Sequence, residues 1–362
     1  MAYRVIQIGT GGFGACWCEW FLPANVREGL IEVVAAVDIN PDNLAHARKH
    51  LNLPAERCYT DVRRALDENP ADFCTIVVPP AHHETMAAHA LAHDLHILSE
   101  KPIADTLEAS CRIVEKVKRA GKKMAVTMSH RFDQDKTTLR EELRSGRHGE
   151  LDYIVSRFTC PCRAFASWGK FRHEIPDPLM VEGAVHHLDL LADMGGALCE
   201  EIYAQTWNPR WGEYAGDSQG LVTMRLANGK RIFYEGAKTN TAGLNCWGNE
   251  YIRAECEKAT LILDTRRLEK FALPAGKSGV SAREGHGETI PLLEQPKWQN
   301  AWLVEQFVKW LDGGPAMETN VEANLQSVAL IFAAIESSRT GMPVKVQELL
   351  RRVWDQVKRE MA

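Results

Sequence analysis

The sequence predicts an α/β chain in two parts, a doubly wound parallel sheet over residues 1–128 and an α+β domain with a large, mostly antiparallel sheet over residues 129–362. Three observations carry this reading. Short apolar runs alternate with amphipathic stretches as far as Met128, the rhythm of strand–helix–strand units. Glycines spaced G-x-G-x-x-G, at Gly9, Gly11 and Gly14, cut off the first apolar run. Past residue 128 long strand-like segments follow one another, with the hairpin signal Asn228-Gly229 between two of them.

The first element, Tyr3 to Gly14, reads YRVIQIGTGGFG. Val5, Ile6 and Ile8 suit a strand buried on both faces, and the glycines, lacking a Cβ, allow a sharp turn and a close approach of phosphate to backbone. A helix starting there directs free N–H groups at a pyrophosphate. Such a turn alone is a weak signal. It gains meaning from the second strand, Ile31 to Asp38, which ends on a carboxylate 24 residues past Gly14, placed to accept hydrogen bonds from both hydroxyls of an adenosine ribose. Together they predict a dinucleotide-binding Rossmann domain. Pro41 to Leu51 then reads as a helix opening after Asn40, and Asp61 to Asn69 as another, with Val62, Ala65 and Leu66 at helical spacing. Asp72 to Val78 is a short strand closed by Pro79-Pro80, Ala81 to His93 a helix, and His96 to Ser99 a strand ended by Glu100-Lys101-Pro102. Leu107 to Ala120 is an amphipathic helix closed by Gly121, and Met124 to Met128 a further strand.

In the second part Asp133 to Ser145 reads as a helix, and strands are expected at Leu151–Thr159, Glu201–Trp207, Gly220–Leu226, Arg231–Ala237, Tyr251–Cys256, Ala259–Leu263 and Glu269–Leu273. Pro274 to Gly287, rich in Gly, Ser and charge, reads as a solvated loop. Trp298–Leu311, Val321–Thr340 and Val346–Met361 complete the chain as helices.

Composition narrows the function. A chain of 362 residues is ample for two domains, and 45% apolar with 25% charged residues is ordinary for a globular protein. A net charge of −5 without a basic run argues against nucleic acid as partner. Met1-Ala-Tyr-Arg leads straight into the first strand, and no window approaches the length of a membrane span, so no membrane association and a cytoplasmic location are expected. The ten cysteines, Cys16, Cys18 and the Cys160-Pro-Cys162 pair among them, are then expected as reduced, buried hydrophobes, and none has C-x-x-C spacing.

In an open parallel sheet, ligands bind beyond the carboxyl ends of the strands. Residues there are Pro79-Pro80 with His82 and His83, then Lys101, then Ser129-His130-Arg131. A lysine in that place has two readings, a surface cation or a donor to a substrate hydroxyl that stabilises developing alkoxide charge. A second constellation runs from Met180 to Asp193 and reads as a helix ended by Gly195-Gly196. At about 100° per residue Glu182, His186, Asp189 and Asp193 share one stripe, and His187 points away from it. That stripe is either the solvated face of an amphipathic helix or a general base, His186, oriented by Glu182 and Asp189. Glu182, His186 and Asp189 would also suit zinc by residue type, but no ligand signature such as H-E-x-x-H accompanies them, and no metal is expected.

In order along nearly the whole chain these residues resemble the glucose-fructose oxidoreductase/inositol dehydrogenase (Gfo/Idh/MocA) family of nicotinamide-dependent oxidoreductases. The resemblance rests on Gly9-Thr-Gly-Gly-Phe-Gly14, Pro79-Pro-Ala-His-His83, Glu100-Lys101-Pro102, Arg131-Phe132 and Glu182-Gly-Ala-Val-His186-His-Leu-Asp189. It implies that Gly9, Gly11, Gly12, Phe13, Gly14, Asp38, Pro79, His83, Glu100 and Lys101 hold the cofactor, and that Lys101 and His186 form the catalytic pair. Glu182 stands where the family pattern has aspartate, a departure of one methylene. Glu182 and Asp189 would bind neighbouring hydroxyls, and Arg163, Trp168 and His173, in the segment before the motif, are expected substrate-loop residues. Also implied are a cis peptide before Pro102 and a homodimer or homotetramer through the second sheet. Asp38, with no arginine directly after it, favours NAD over NADP. The expected reaction is oxidation of a sugar or polyol carbinol, an aldopentose such as D-apiose or D-xylose going to its lactone being one candidate. Redox-neutral NAD-dependent glycoside or epimerase-type chemistry and a non-catalytic cofactor-binding sensor are the alternatives.

Overall fold

The structure, a computed structural model, describes residues 1–281 and 287–362. It divides into two compact units, one of residues 1–129, 297–328 and 351–362, the other of residues 130–296 and 329–350. Contacts rather than chain order thus assign residues 297–328 and 351–362 to the first unit.

The first unit is built on a six-stranded sheet of β1 (Tyr3–Ile8), β2 (Ile31–Val37), β3 (Cys58–Tyr59), β4 (Phe73–Ile76), β5 (His96–Ser99) and β6 (Met124–Val126). Its order is β3-β2-β1-β4-β5-β6 and all its pairs are parallel. The order reverses beside β1, which is the switch point where such sheets bind ligands. Val5, Ile6, Phe73, Cys74, Ile76, Ile97 and Leu98 are fully buried, as expected of strands covered on both faces. Local chemistry sets the helix ends: Asn40 accepts from Asp42 N, Asp61 from Arg64 N and Thr106 from Ala109 N, while Gly121 takes the left-handed stop after Leu107–Ala120. Two strands are shorter than their apolar runs. β6 stops at Val126 because Met128 N turns back to Val126 O, and β4 stops at Ile76 ahead of the turn entering Pro79. The helix Gln299–Leu311 closes on the unit through Phe307, whose ring centroid is 5.2 Å from that of Phe73.

The second unit carries a nine-stranded sheet. Its strands are β7 (Leu151–Thr159), β8 (Cys199–Trp207), β9 (Gln219–Leu226), β10 (Arg231–Ala237), β11 (Tyr251–Cys256), β12 (Ala259–Asp264), β13 (Arg267–Ala272), β14 (Glu288–Ile290) and β15 (Val344–Lys345). The order is β14-β13-β12-β11-β7-β10-β9-β8-β15, with one parallel pair, β7 with β10, among antiparallel ones. Ile154, Phe158, Val222, Met224, Ile232, Tyr234, Ile252 and Ala254 alternate onto the buried face. The edge strands β14 and β15 have no counterpart in the sequence reading: three and two residues are too few to show a period. Within the expected loop, residues 274–281 form no strand or helix, and residues 282–286 lie outside the described residues. Among the described residues no helix is long and apolar enough to cross a membrane.

Candidate functional site

In the first unit the glycines of the turn after β1 have separate steric duties. Gly9 has φ +89°, and a Cβ there would stand 2.1 Å from Val77 O; a Cβ on Gly14 would stand 2.4 Å from Gly9 O. Gly11 is pressed against Asn43, with 2.2 Å from an added Cβ to Nδ2. Gly12, at φ +55°, meets nothing within 4 Å and opens outward where the helical run 13–27 begins. Tight strand-to-helix packing below a bare backbone above is the cradle a pyrophosphate requires, so these residues fit a dinucleotide. Phe13, the first helical residue, is partly exposed, at 44%.

Asp38 follows β2. Its Oδ2 accepts from Thr10 N (2.8 Å) and Gly11 N (2.9 Å), and its Oδ1 from Asn40 N (2.9 Å) and Asn43 Nδ2 (3.1 Å). Burial pushes this carboxyl up, but the hydrogen bonds from Asn40, Thr10, Asn43 and Gly11 outweigh it and hold it below the usual carboxylate range. Beyond β4 and β5 one histidine ties two loops together. His83 Nε2 lies 2.9 Å from Val78 O and Nδ1 2.9 Å from Pro102 O, linking the turn at Pro79 to the cis Lys101-Pro102 peptide. Glu100, buried, accepts from Trp17 Nε1 (3.0 Å) and Asn300 Nδ2 (3.1 Å), and burial raises its pKa. Lys101 is half-buried at the head of this loop.

In the second unit the motif helix is not regular. Leu179–Ala184 is a π-helical turn and Val185–Gly195 is α-helical, stopped by Gly196 in the left-handed region. The stripe drawn at constant pitch therefore does not hold through Glu182. Nor is it a solvated face: Glu182, His186, His187 and Asp189 are all buried. Each acid meets an arginine from elsewhere. Arg172 Nε donates to Glu182 Oε2 at 2.8 Å, and Arg131 grips Asp189 through Nε and Nη2 at 2.6 and 2.7 Å and reaches Asp193 at 2.9 Å. His187 points away from those acids, as the pitch predicts, but finds another acid, Glu250, which precedes β11. His187 Nε2 is 3.6 Å and His130 Nε2 3.1 Å from Glu250 Oε1, while Lys136 Nζ is 2.6 Å from Oε2. His186 faces His130 ring to ring at 4.4 Å.

His130, His187 and Glu250 bring three ligand atoms within 4.8 Å of one another, as do Glu19, His46 and His50 in the first unit. Lys136, held by Glu250, already supplies positive charge at the buried trio. Burial lowers His187 to about 4 despite Glu250; burial pushes Glu250 up, yet its bonds to His130, His187 and Lys136 hold it well below the usual range.

The expected substrate-loop residues are all engaged. Arg163 donates to Thr239 O and Thr241 Oγ1, each at 2.7 Å. His173 stacks on Tyr214 at 3.9 Å with Nδ1 2.9 Å from Glu213 O. Trp168 lies under Arg172, at 5.3 Å, and against Lys238, whose Nζ is 3.1 Å from its centroid. Lys238 and Glu250 were missed by the sequence reading. For Lys238 a signal existed: continuing the alternation of β10 from Ile232 through Tyr234 and Gly236 puts a lysine on the buried face. Glu250 had none, because nothing local says what a loop carboxylate will meet.

Comparison with known proteins places both parts of the chain. The oxidoreductase family described as having an NAD-binding Rossmann fold, Gfo/Idh/MocA, matches residues 3–128, and its C-terminal alpha/beta domain matches residues 140–346. An uncharacterised protein of Sinorhizobium fredii, y4oX, is 54% identical over 97% of this chain and 98% of its own length. An inositol 2-dehydrogenase of Corynebacterium glutamicum is 27% identical over 64% of this chain and 67% of its own. A 1-carboxy-3-chloro-3,4-dihydroxycyclohexa-1,5-diene dehydrogenase of Comamonas testosteroni is 32% identical over 42% and 37%. Among solved structures, an oxidoreductase of Agrobacterium radiobacter in complex with NAD+, L-tartaric acid and magnesium has the same fold, with a TM-score of 0.80 at 19% identity over 96% of this chain and 100% of that one.

Proposed function

Because the chain belongs to the Gfo/Idh/MocA family of oxidoreductases, with its NAD-binding Rossmann domain and its C-terminal domain, we propose that it is an NAD-dependent dehydrogenase oxidising a carbinol of a cyclic polyol or sugar, with Lys101 and His186 as the catalytic pair. The observation that carries this reading is the burial of His186 and Asp189, in the α-helix that directly follows a π-helical turn, together with Glu182 on that turn, each carboxylate fixed by an arginine. Regular helices rarely contain such turns, which cluster at functional sites.

In this reading His186 takes the proton of the substrate hydroxyl, and Lys101 donates a hydrogen bond to the same oxygen as negative charge develops on it. Bound NAD supplies the hydride acceptor. Glu182 and Asp189 accept from hydroxyls beside the reacting carbon, and because Arg172 and Arg131 pin them, little ordering is left for the moment of binding. Pro79 and His83 shape the loop that carries Lys101, and Glu100 anchors it from beneath. Relatives named inositol 2-dehydrogenase support a cyclic polyol ahead of an aldopentose.

The test follows NADH formation with NAD and a panel of myo-inositol, D-xylose, D-apiose and other aldoses, with Lys101→Ala alongside. Turnover on one panel member, reduced about 10²–10³-fold in the variant, is expected. A folded Lys101→Ala protein with near-normal turnover refutes the mechanism, and NAD binding without NADH from any member refutes the dehydrogenase reading.

A further inference from the structure

We propose that Lys238 reads a carboxylate on the substrate, so that the pocket selects acidic sugars or cyclic hydroxy acids over their neutral counterparts. The proposal rests on the dehydrogenase reading to the extent that it takes the Glu182–His186 turn to face substrate.

Lys238 follows β10 on its buried face and is fully inaccessible. Among the described residues no oxygen, nitrogen or sulfur accepts a hydrogen bond from its Nζ. Three rings surround it instead, with centroids 3.1 Å (Trp168), 4.5 Å (Trp247) and 4.7 Å (Phe158) from Nζ. Such a cage attracts a cation but cannot satisfy three N–H donors. A buried ammonium without a counterion is costly, and burial draws Lys238 down to about 7 even though Cys160, Cys162 and Cys246 pull the other way; Arg172 adds to the lowering. Proteins keep so unfavourable a residue where function repays it.

Its position says what the function is. A Cβ on Gly183 would be 3.7 Å from Lys238 Cε and 3.7 Å from the Trp168 ring, so the lysine stem lies against the turn that separates Glu182 from His186. Trp247 carries the contact onward, its ring 6.0 Å from that of His186. Arg172, the other cation on this wall, already donates to Glu182. Among the described residues of this wall Lys238 is left without a carboxylate, and a substrate carboxylate supplies one. In this proposal a substrate carboxylate reaches Lys238 past Trp168, which is only half-buried and adjoins Gly169, at φ +89°, outside any helix or strand. A single ammonium suits a monoanion; a phosphate dianion calls for several donors.

The experiment titrates the NADH-loaded protein calorimetrically with matched pairs: D-galactose and D-galacturonate, D-xylose and D-xylonate, myo-inositol and quinate. In the unaltered protein the carboxylate of at least one pair is expected to bind about tenfold or more tightly than its partner. In Lys238→Met, which keeps the stem and the apolar packing, that margin is expected to fall to about twofold or less while the melting temperature rises, because an unpaired buried cation has been removed. A merely structural lysine would show the opposite thermal shift. Lys238→Gln serves as a second variant. Equal binding of the neutral members, no carboxylate binding below about 10 mM, or a preference that survives in both variants overturns the proposal. NADH formation is read separately with NAD. A Lys238-dependent preference without turnover on any member leaves the proposal standing and sinks the dehydrogenase reading; turnover on neutral polyols without a carboxylate preference does the reverse.

Discussion

Asp38 spends two of its acceptor positions on Thr10 N and Gly11 N, so the same carboxylate that would hold a ribose also fixes the glycine turn. Its charge persists because those hydrogen bonds favour the ionised form over the cost of partial burial. A 2′-phosphate brought beside it meets like charge, and the neighbouring Ile39 and Asn40 offer no cation. Replacing Asp38 with Ser is therefore expected to narrow the preference for NADH over NADPH about tenfold or more, measured by fluorescence titration of each reduced cofactor. An unchanged ratio would place cofactor choice elsewhere. Lys238 illustrates the converse at the same scale: just past β10, one residue type at odds with the alternation it continues stands out because the inward residues Ile232, Tyr234 and Gly236 are apolar, aromatic or glycine.

At the scale of elements, β10 and the helix Val185–Gly195 work as a pair. Tyr234 leans along its strand, and a Cβ on Gly236 would lie 2.7 Å from the Tyr234 hydroxyl, so glycine there keeps clear the path by which that hydroxyl reaches His187 Nδ1 at 2.9 Å. Burial is what holds His187 neutral, lowering its pKa to about 4. The sign of the pH effect follows. Between an ordinary histidine value of about 6.5 and about 4 the unfolded chain binds a proton at this residue that the folded chain refuses, so the His187 contribution to stability falls as pH drops through that window, by on the order of 3 kcal/mol, and is constant above it. Glu250, held well below the usual carboxylate range, loses its contribution only at still lower pH. Urea midpoints measured across the window are expected to slope less in His187→Asn than in the parent; equal slopes would mean that the acid sensitivity lies in other groups.

For the whole molecule the open question is assembly. Within the second unit the sheet buries one face and exposes the other, where Leu221 (50% exposed) and Phe233 (41%) lie near Tyr153, Val155 and Tyr251. An outward sheet face bearing such residues suits a second copy, and we propose that it forms a homo-oligomer interface. Phe233→Arg is expected to shift sedimentation equilibrium toward monomer with the melting behaviour of each unit retained; an unchanged mass would move the interface elsewhere. Much of this molecule was legible along the chain. The glycine turn, Asp38, Leu107–Ala120 and the strands β5, β7, β10 and β11 were readable because their causes are local: a missing Cβ, an apolar period, a capping side chain. The order of His83 before Lys101, and of Glu182 before His186 and Asp189, was equally a property of the sequence. Other features depend on what distant segments bring. The π-turn at Leu179–Ala184, the arginines that claim Glu182 and Asp189, the Glu250–Lys136 pair beside two histidines and the aromatic cage of Lys238 exist only where strands and helices far apart in the chain converge. Sequence by itself determined the family, the fold class and the residues available for chemistry; tertiary structure alone decided which charges are paired, because pairing energy depends on burial and distance rather than on position along the chain.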